Sequence, residues 1–278
     1  MPASANRAQS VFATLDRQLR KLAAKPAPQA VHRFRTSGRR VEVLLEELGS
    51  NGNHRKLLKL LSRLRKKAGR VRDLDVQIAL LRNFKMPEGA RHKRQLLEAL
   101  VEERNRKEKK FAEAADKNAM RDLRRRLKRA AREMQANQEA PWPRAVRLLG
   151  RLDQQNAPLT EKVLHQYRLA GKRIRYLAEL ADDEPQARSL VRQLKGMQDA
   201  LGEWHDWLKL TQRAENALNS APESPLVAAL RNLTHAKFRL AVTALAEARS
   251  ALAATAAAQA APARKGPAGI PADKTAAA

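Results

Sequence analysis

Two segments of the chain place a histidine, an arginine three residues on, and a basic pair at the seventh and eighth positions after the histidine. They read "HRFRTSGRR" from His32 and "HQYRLAGKRIRY" from His165. On a helix, His32, Arg35 and Arg39 share one face about a turn apart, and so do His165, Arg168, Lys172 and Arg175. Cations stacked in this way repel one another, so the arrangement costs stability unless an anion lies opposite. Arginine suits phosphate in particular, because its planar fork can donate two hydrogen bonds to one anion. A single basic stripe is usually a solvated helix face. Recurrence at identical spacing, beside an apolar seam, favours an anion site instead. Before Glu42 no carboxylate enters the first stripe, and the neighbouring cations would repel a metal ion, so no metal site is expected.

Stripes of this kind need helices that bury one face. Val31, Phe34, Gly38, Val41, Leu45 and Leu48 step by three and four and supply such a seam. Gly is sparse, and Pro87 is the only proline between Pro28 and Pro141, so an all-α protein is expected. An amphipathic helix precedes the stripe, with Val11, Leu15, Leu19 and Leu22 in register. After it, "HRKLLKLLSRLRKKAG" reads as a helix closing at Gly69, and "RDLDVQIALLRNF" as another that stops before Pro87. From Arg91 to about Gln135 the pattern is one long, charged, helical stretch. "QEAPWPRA" marks a joint, helices resume from Arg144, and a last one runs from about Leu226 to Ala253. From Ala260 the Ala/Pro/Lys/Gly composition predicts a disordered tail.

At a constant offset of 133 residues, positions 31–73 align with 164–206 without a gap, with identities at 11 of 43 positions. His32, Arg35, Gly38, Arg40, Gly69 and Asp73 are among them. The same offset sets Arg104 opposite Lys237. Two tandem helical bundles related by internal duplication are therefore expected, over residues 1–136 and 137–259, followed by the tail at 260–278. Downstream of each stripe, "LSRLRKKAGRVRDLD" parallels "LKGMQDALGEWHDWL". Gly69 and Gly202 are expected as helix caps or close-packing points. Asp73 and Asp206 are expected as N-caps or as ion-pair partners that aim the basic side chains.

Charge and composition bound the function. Lys and Arg number 56 against 29 Asp and Glu, and a formal charge of +27 calls for a polyanionic partner. With no cysteine there is neither a disulfide framework nor a thiolate metal site. Five Phe, three Trp and two Tyr leave few platforms for stacking bases, and no nucleic-acid-binding motif is present. Nonspecific nucleic-acid binding is therefore the alternative reading. An enzyme acting on polyphosphate or nucleotides would need a carboxylate cluster for metal or a Gly-rich loop ending in Gly-Lys-Ser/Thr. Neither appears, so no enzymatic activity and no cofactor are expected. The N-terminus lacks an apolar signal region and no stretch approaches 18 apolar residues, which predicts a cytoplasmic protein without membrane association.

Both copies resemble the CHAD domain, the conserved-histidine α-helical domain. "HRFRTSGRR", "HQYRLAGKRIRY" and "VRDLDV" fit its motifs, and "LGEWHDW" fits with His205 where the family is often Asn-like. The resemblance spans roughly Val11 to Ala253. It implies two helical bundles around a basic central groove or pore that binds inorganic polyphosphate, with some members at polyphosphate granules. Carried over by motif, it places His32, Arg35, Arg39, Arg40, His165, Arg168, Lys172, Arg173, Arg175 and Tyr176 at or near the ligand. The basic positions Arg65, Arg72, Arg104 and Lys237 complete the expected set. CHAD domains often accompany triphosphate-tunnel domains, whose Glu-x-Glu-x-Lys motif this sequence lacks.

Overall fold

The computed structural model describes residues 3–24, 27–49, 54–86, 90–136, 140–153, 158–218 and 224–260. Among them the chain forms nine α-helices and no strand. These are α1 (Ala3–Ala24), α2 (Pro28–Leu48), α3 (Arg55–Asn83), α4 (Ala90–Ala114) and α5 (Lys117–Ala136), then α6 (Pro141–Asp153), α7 (Glu161–Leu180), α8 (Pro185–Ala217) and α9 (Pro225–Ala260). The all-helical expectation holds. Residues 261–278, nearly all of the expected tail, lie outside the described residues.

Local chemistry explains most boundaries. Pro28, Pro141, Pro185 and Pro225 open helices, where a missing N–H costs nothing and the fixed φ suits the first turn. Thr160 caps α7 by accepting from the Val163 amide at 3.4 Å. Two expectations need correction. Gly69 does not end a helix, because α3 runs through it from Arg55 to Asn83. One glycine costs only about 1 kcal/mol inside a helix. The buried series Leu64, Ala68, Val71, Leu74, Ile78 and Leu81 continues across it and outweighs that cost. Conversely, the charged stretch after Arg91 is two helices. Asp116 accepts from the Ala119 amide at 2.7 Å and so starts α5 as its N-cap.

The segments aligned at the 133-residue offset fold alike, each as two consecutive helices: α2 with α3, and α7 with α8. In both pairs a glycine lets the neighbouring helix approach. A Cβ at Gly38 would lie 3.3 Å from Leu61 Cδ1, and one at Gly171 would lie 2.6 Å from Met197 Cε.

The buried apolar residues form two clusters, and neither follows the boundary near residue 137. The larger joins Leu15, Phe34 and Leu61 to Tyr167, Leu194 and Trp204. The smaller joins Leu74, Leu81 and Leu100 of α3 and α4 to Trp207, Leu210 and Leu230 of α8 and α9. Each core thus draws on both halves of the sequence. No helix among the described residues is long and apolar enough to cross a membrane.

Candidate anion-binding site

Helices α2, α3, α7 and α8 border an open-sided cavity of roughly 550 Å³ whose wall collects residues from both stripes. α2 contributes His32, Arg35 and Arg39; α3 contributes Arg65 and Arg72; α7 contributes Arg168, Lys172 and Tyr176. The acids Asp73, Asp199, Glu203 and Asp206 also line it. This convergence follows from the seams: burying Val31, Phe34, Val41, Leu164, Tyr167 and Ile174 turns the adjacent polar stripes toward the same space.

Some of these charges are already matched. Arg35 Nη1 donates to Asp73 Oδ1 at 2.9 Å, the buttressing contact expected from the sequence. Arg65 lies 2.6 Å from the buried carboxylate of Glu42. Burial pushes the Glu42 carboxyl above its ordinary range, while Arg65 opposes that shift. Beside the rim, Lys237 pairs with Glu203 at 2.7 Å.

Others are not. Arg39, Arg72, Arg168 and Lys172 have no carboxylate within 4.0 Å among the described residues, and the Nε atoms of Arg72 and Arg168 are buried without a hydrogen-bond partner. The cost is visible in their protonation. Burial, then the neighbouring guanidiniums of Arg168 and Arg35, lower the Lys172 ammonium to about 8. Burial also lowers Arg168 against the pull of Asp206, and it lowers Arg39, with Arg65 adding to the effect. His32 is held below its usual range by burial, then by Arg72 and Arg35. Four cations without a carboxylate partner around one cavity favour the entry of an anion.

The remaining expected residues sit elsewhere. His165 is exposed and stacks on His205 with ring centroids 5.8 Å apart, outside the cavity wall; burial, then His205, lower its pKa. Arg40 pairs with Glu179 at 2.9 Å, and both Arg40 and Arg175 lie over the Tyr176 ring at 5.4 Å. Arg40 and Tyr176 line a smaller cavity of roughly 260 Å³ against α1. Arg173 pairs with Glu46 and Glu47 and lines a space of roughly 580 Å³ that shares Arg39, Leu169 and Lys172 with the main cavity. Arg104 is held by Asp75 at 3.1 Å and Glu108 at 2.5 Å and does not line the cavity. Sequence reasoning missed Gln198, whose amide nitrogen and oxygen are both buried without partners in the cavity wall. The 133-residue offset sets it opposite Arg65, but a neutral glutamine where the first copy has a cation gives no charge signal. Glu42 was visible only as the first acid to follow the stripe.

A family model for the CHAD domain matches residues 7–215. The chain belongs to the CHAD family. Two solved structures share the CHAD fold seen here. The CHAD domain from the plant Ricinus communis superposes with a TM-score of 0.67 at 19% identity, over 91% of each chain. PptA from Streptomyces chartreusis gives 0.68 at 18% identity, over 91% of this chain and 98% of its own. No curated protein matches the chain. CHAD domains are associated with phosphate-containing ligands, which accords with the sign of charge around the cavity.

Proposed function

We propose that the protein binds inorganic polyphosphate, without turning it over, in the cavity between α2, α3, α7 and α8. The observation that carries this reading is the set of four cations there, Arg39, Arg72, Arg168 and Lys172, that lack a carboxylate partner. Membership of the CHAD family supports it. Polyphosphate offers one charge per unit and no bases, so its recognition needs a row of cations and little else. The cavity supplies that row, with Tyr176 and the His32 imidazole as the only aromatic rings among the described residues of its wall. Arginine forks can take two oxygens of one phosphate, and the buried Nε donors of Arg72 and Arg168 gain partners when the anion enters. His32 adds a donor whose charge depends on pH. In the cell such a protein would follow the polymer to its stores, including polyphosphate granules in the cytoplasm.

Calorimetric titration with polyphosphates of defined length, at near-physiological salt, tests the assignment. Wild-type protein should bind, with log K falling by roughly 0.7 per phosphate engaged for each decade of salt, so a slope near 3 for four cations. Arg168→Gln/Lys172→Gln should weaken binding at least about tenfold and lower the slope by about 1 to 2. An unchanged affinity in that variant would reject the cavity. Release of phosphate from the polymer in the presence of Mg²⁺ would reject the non-enzymatic part.

A further inference from the structure

We propose that the exposed face of α5, with Arg20 of α1 opposite it, is a second polyanion site that binds the sugar–phosphate backbone of duplex nucleic acid. It shares no lining residue with the cavity above and stands independently of the polyphosphate assignment.

α5 carries eight basic side chains and two acidic ones. Its apolar seam, Met120, Leu123, Leu127, Ala130 and Met134, is buried against the body. The nearby acids are all engaged. Asp122 takes Arg125 at 2.6 Å and Arg126 at 2.8 Å, Glu133 takes Arg129 at 2.7 Å, and Asp16 of α1 takes Arg124 at 2.7 Å and Arg20 at 2.6 Å. That leaves Lys117, Arg121, Lys128 and Arg132, all exposed and without a carboxylate partner among the described residues. At 3.6 residues per turn these four positions fall within an arc of about 60° and extend along about 22 Å of helix. Beside them, α1 and α5 leave a depression of roughly 940 Å³, larger than the cavity, with Leu19 and Met120 among its apolar lining.

The lining selects the ligand class. It holds no aromatic side chain, so unstacked bases of a single strand would find no platform. α5 exposes no large apolar side chain to enter an acyl layer, which disfavours a membrane surface. Around the buried Leu19 and Met120, the alkyl stems of the lining Lys and Arg side chains give sugar edges an apolar contact that inorganic polyphosphate has no groups to use. Regularly spaced cations beside that lining match a duplex backbone read by charge and shape alone.

Fluorescence anisotropy with a 20-base-pair (roughly two-turn) duplex of arbitrary sequence, using the whole chain, decides the matter. Lys117→Gln/Arg121→Gln/Lys128→Gln/Arg132→Gln should lower duplex affinity at least about tenfold and reduce the salt slope by about 3 to 4. Its polyphosphate affinity should stay within about twofold of wild type, and Arg168→Gln/Lys172→Gln should leave duplex binding intact. The substituted side chains are exposed, and Lys117→Glu/Lys128→Glu gives an independent variant should the fourfold one unfold. The proposal is overturned if wild-type protein does not bind the duplex at 0.15 M salt (a Debye length of about 8 Å). It is also overturned if the cavity variant rather than the α5 variant loses it, or if the α5 variant loses instead polyphosphate or vesicles containing anionic lipid.

Discussion

Because burial and the guanidiniums of Arg168 and Arg35 bring Lys172 to about 8, its charge begins to fade just above neutral pH. Polyphosphate affinity should therefore fall between pH 7 and 9 in wild-type protein, while Lys172→Arg, whose guanidinium stays charged, should hold its affinity across that range. The same shift acts on stability, with a definite sign. The unfolded ammonium titrates near 10.5 and the folded one near 8, so below pH 8 the folded chain carries a penalty that fades as pH rises to 10.5. Lys172→Met should raise the melting temperature of the free protein at pH 7, by at most on the order of 3 kcal/mol of stability, and lose that advantage above pH 10.5. The two motif histidines part company. An anion beside His32 reverses the lowering caused by burial and Arg72, so affinity should strengthen as pH falls from 8 toward 6. In the same titrations His32→Ala should remove the part of that gain below pH 7, where Lys172 is already charged, and His165→Ala, outside the cavity, should keep it. Spacing alone made His32, Arg35, Arg39, Arg168 and Lys172 legible, since helical periodicity fixes a face. It could not tell His165 from His32, because neighbours from another helix decide which side of a stripe meets the cavity.

At the level of helices, the apolar seams of α2 and α7 were readable from the sequence, whereas the interruptions were not. Gly69 looked like a stop only because glycine so often is one. Within α3 it lies beside the Arg35 side chain, and a Cβ there would make ordinary contact, 3.4 Å from Nε. Gly202 shows the alternative: a Cβ there would meet nothing within 4 Å. Gly202→Ala should stabilise the protein by about 0.5 to 1 kcal/mol, as expected for glycine inside a helix. Gly171→Ala must displace the Met197 methyl from 2.6 Å, so its propensity gain should be offset. Urea denaturation of the two variants compares them directly; an equal gain in both would contradict the packing described for α7 and α8. Arg104 and Lys237 were paired by an alignment resting on Leu and Arg, which any two basic amphipathic helices share. Asp75 and Glu203 lie on other helices and leave no trace at that spacing, and only Glu108, four residues after Arg104, was in view along the chain.

Across the whole molecule, an all-helical chain with a basic site was evident from composition and period, but the distribution of the core was not. Seams reveal which face a helix buries and not which helix buries it. Because Leu74, Leu81 and Leu100 pack with Trp207, Leu210 and Leu230, residues 1–136 expressed alone should lack a cooperative thermal transition, whereas the whole chain should melt in one step. Calorimetry on both would show it, and a sharp independent transition in the fragment would contradict the shared core. The same crossing has a consequence for synthesis. A ribosome adding about 5 to 20 residues per second completes α4 roughly 7 to 29 seconds before it completes α9. Through that interval the apolar stripe of α3 and α4 waits without its cover on a chain rich in positive charge. The nascent protein is thus sticky and cationic together, and its safe arrival depends on what shields that stripe until translation ends.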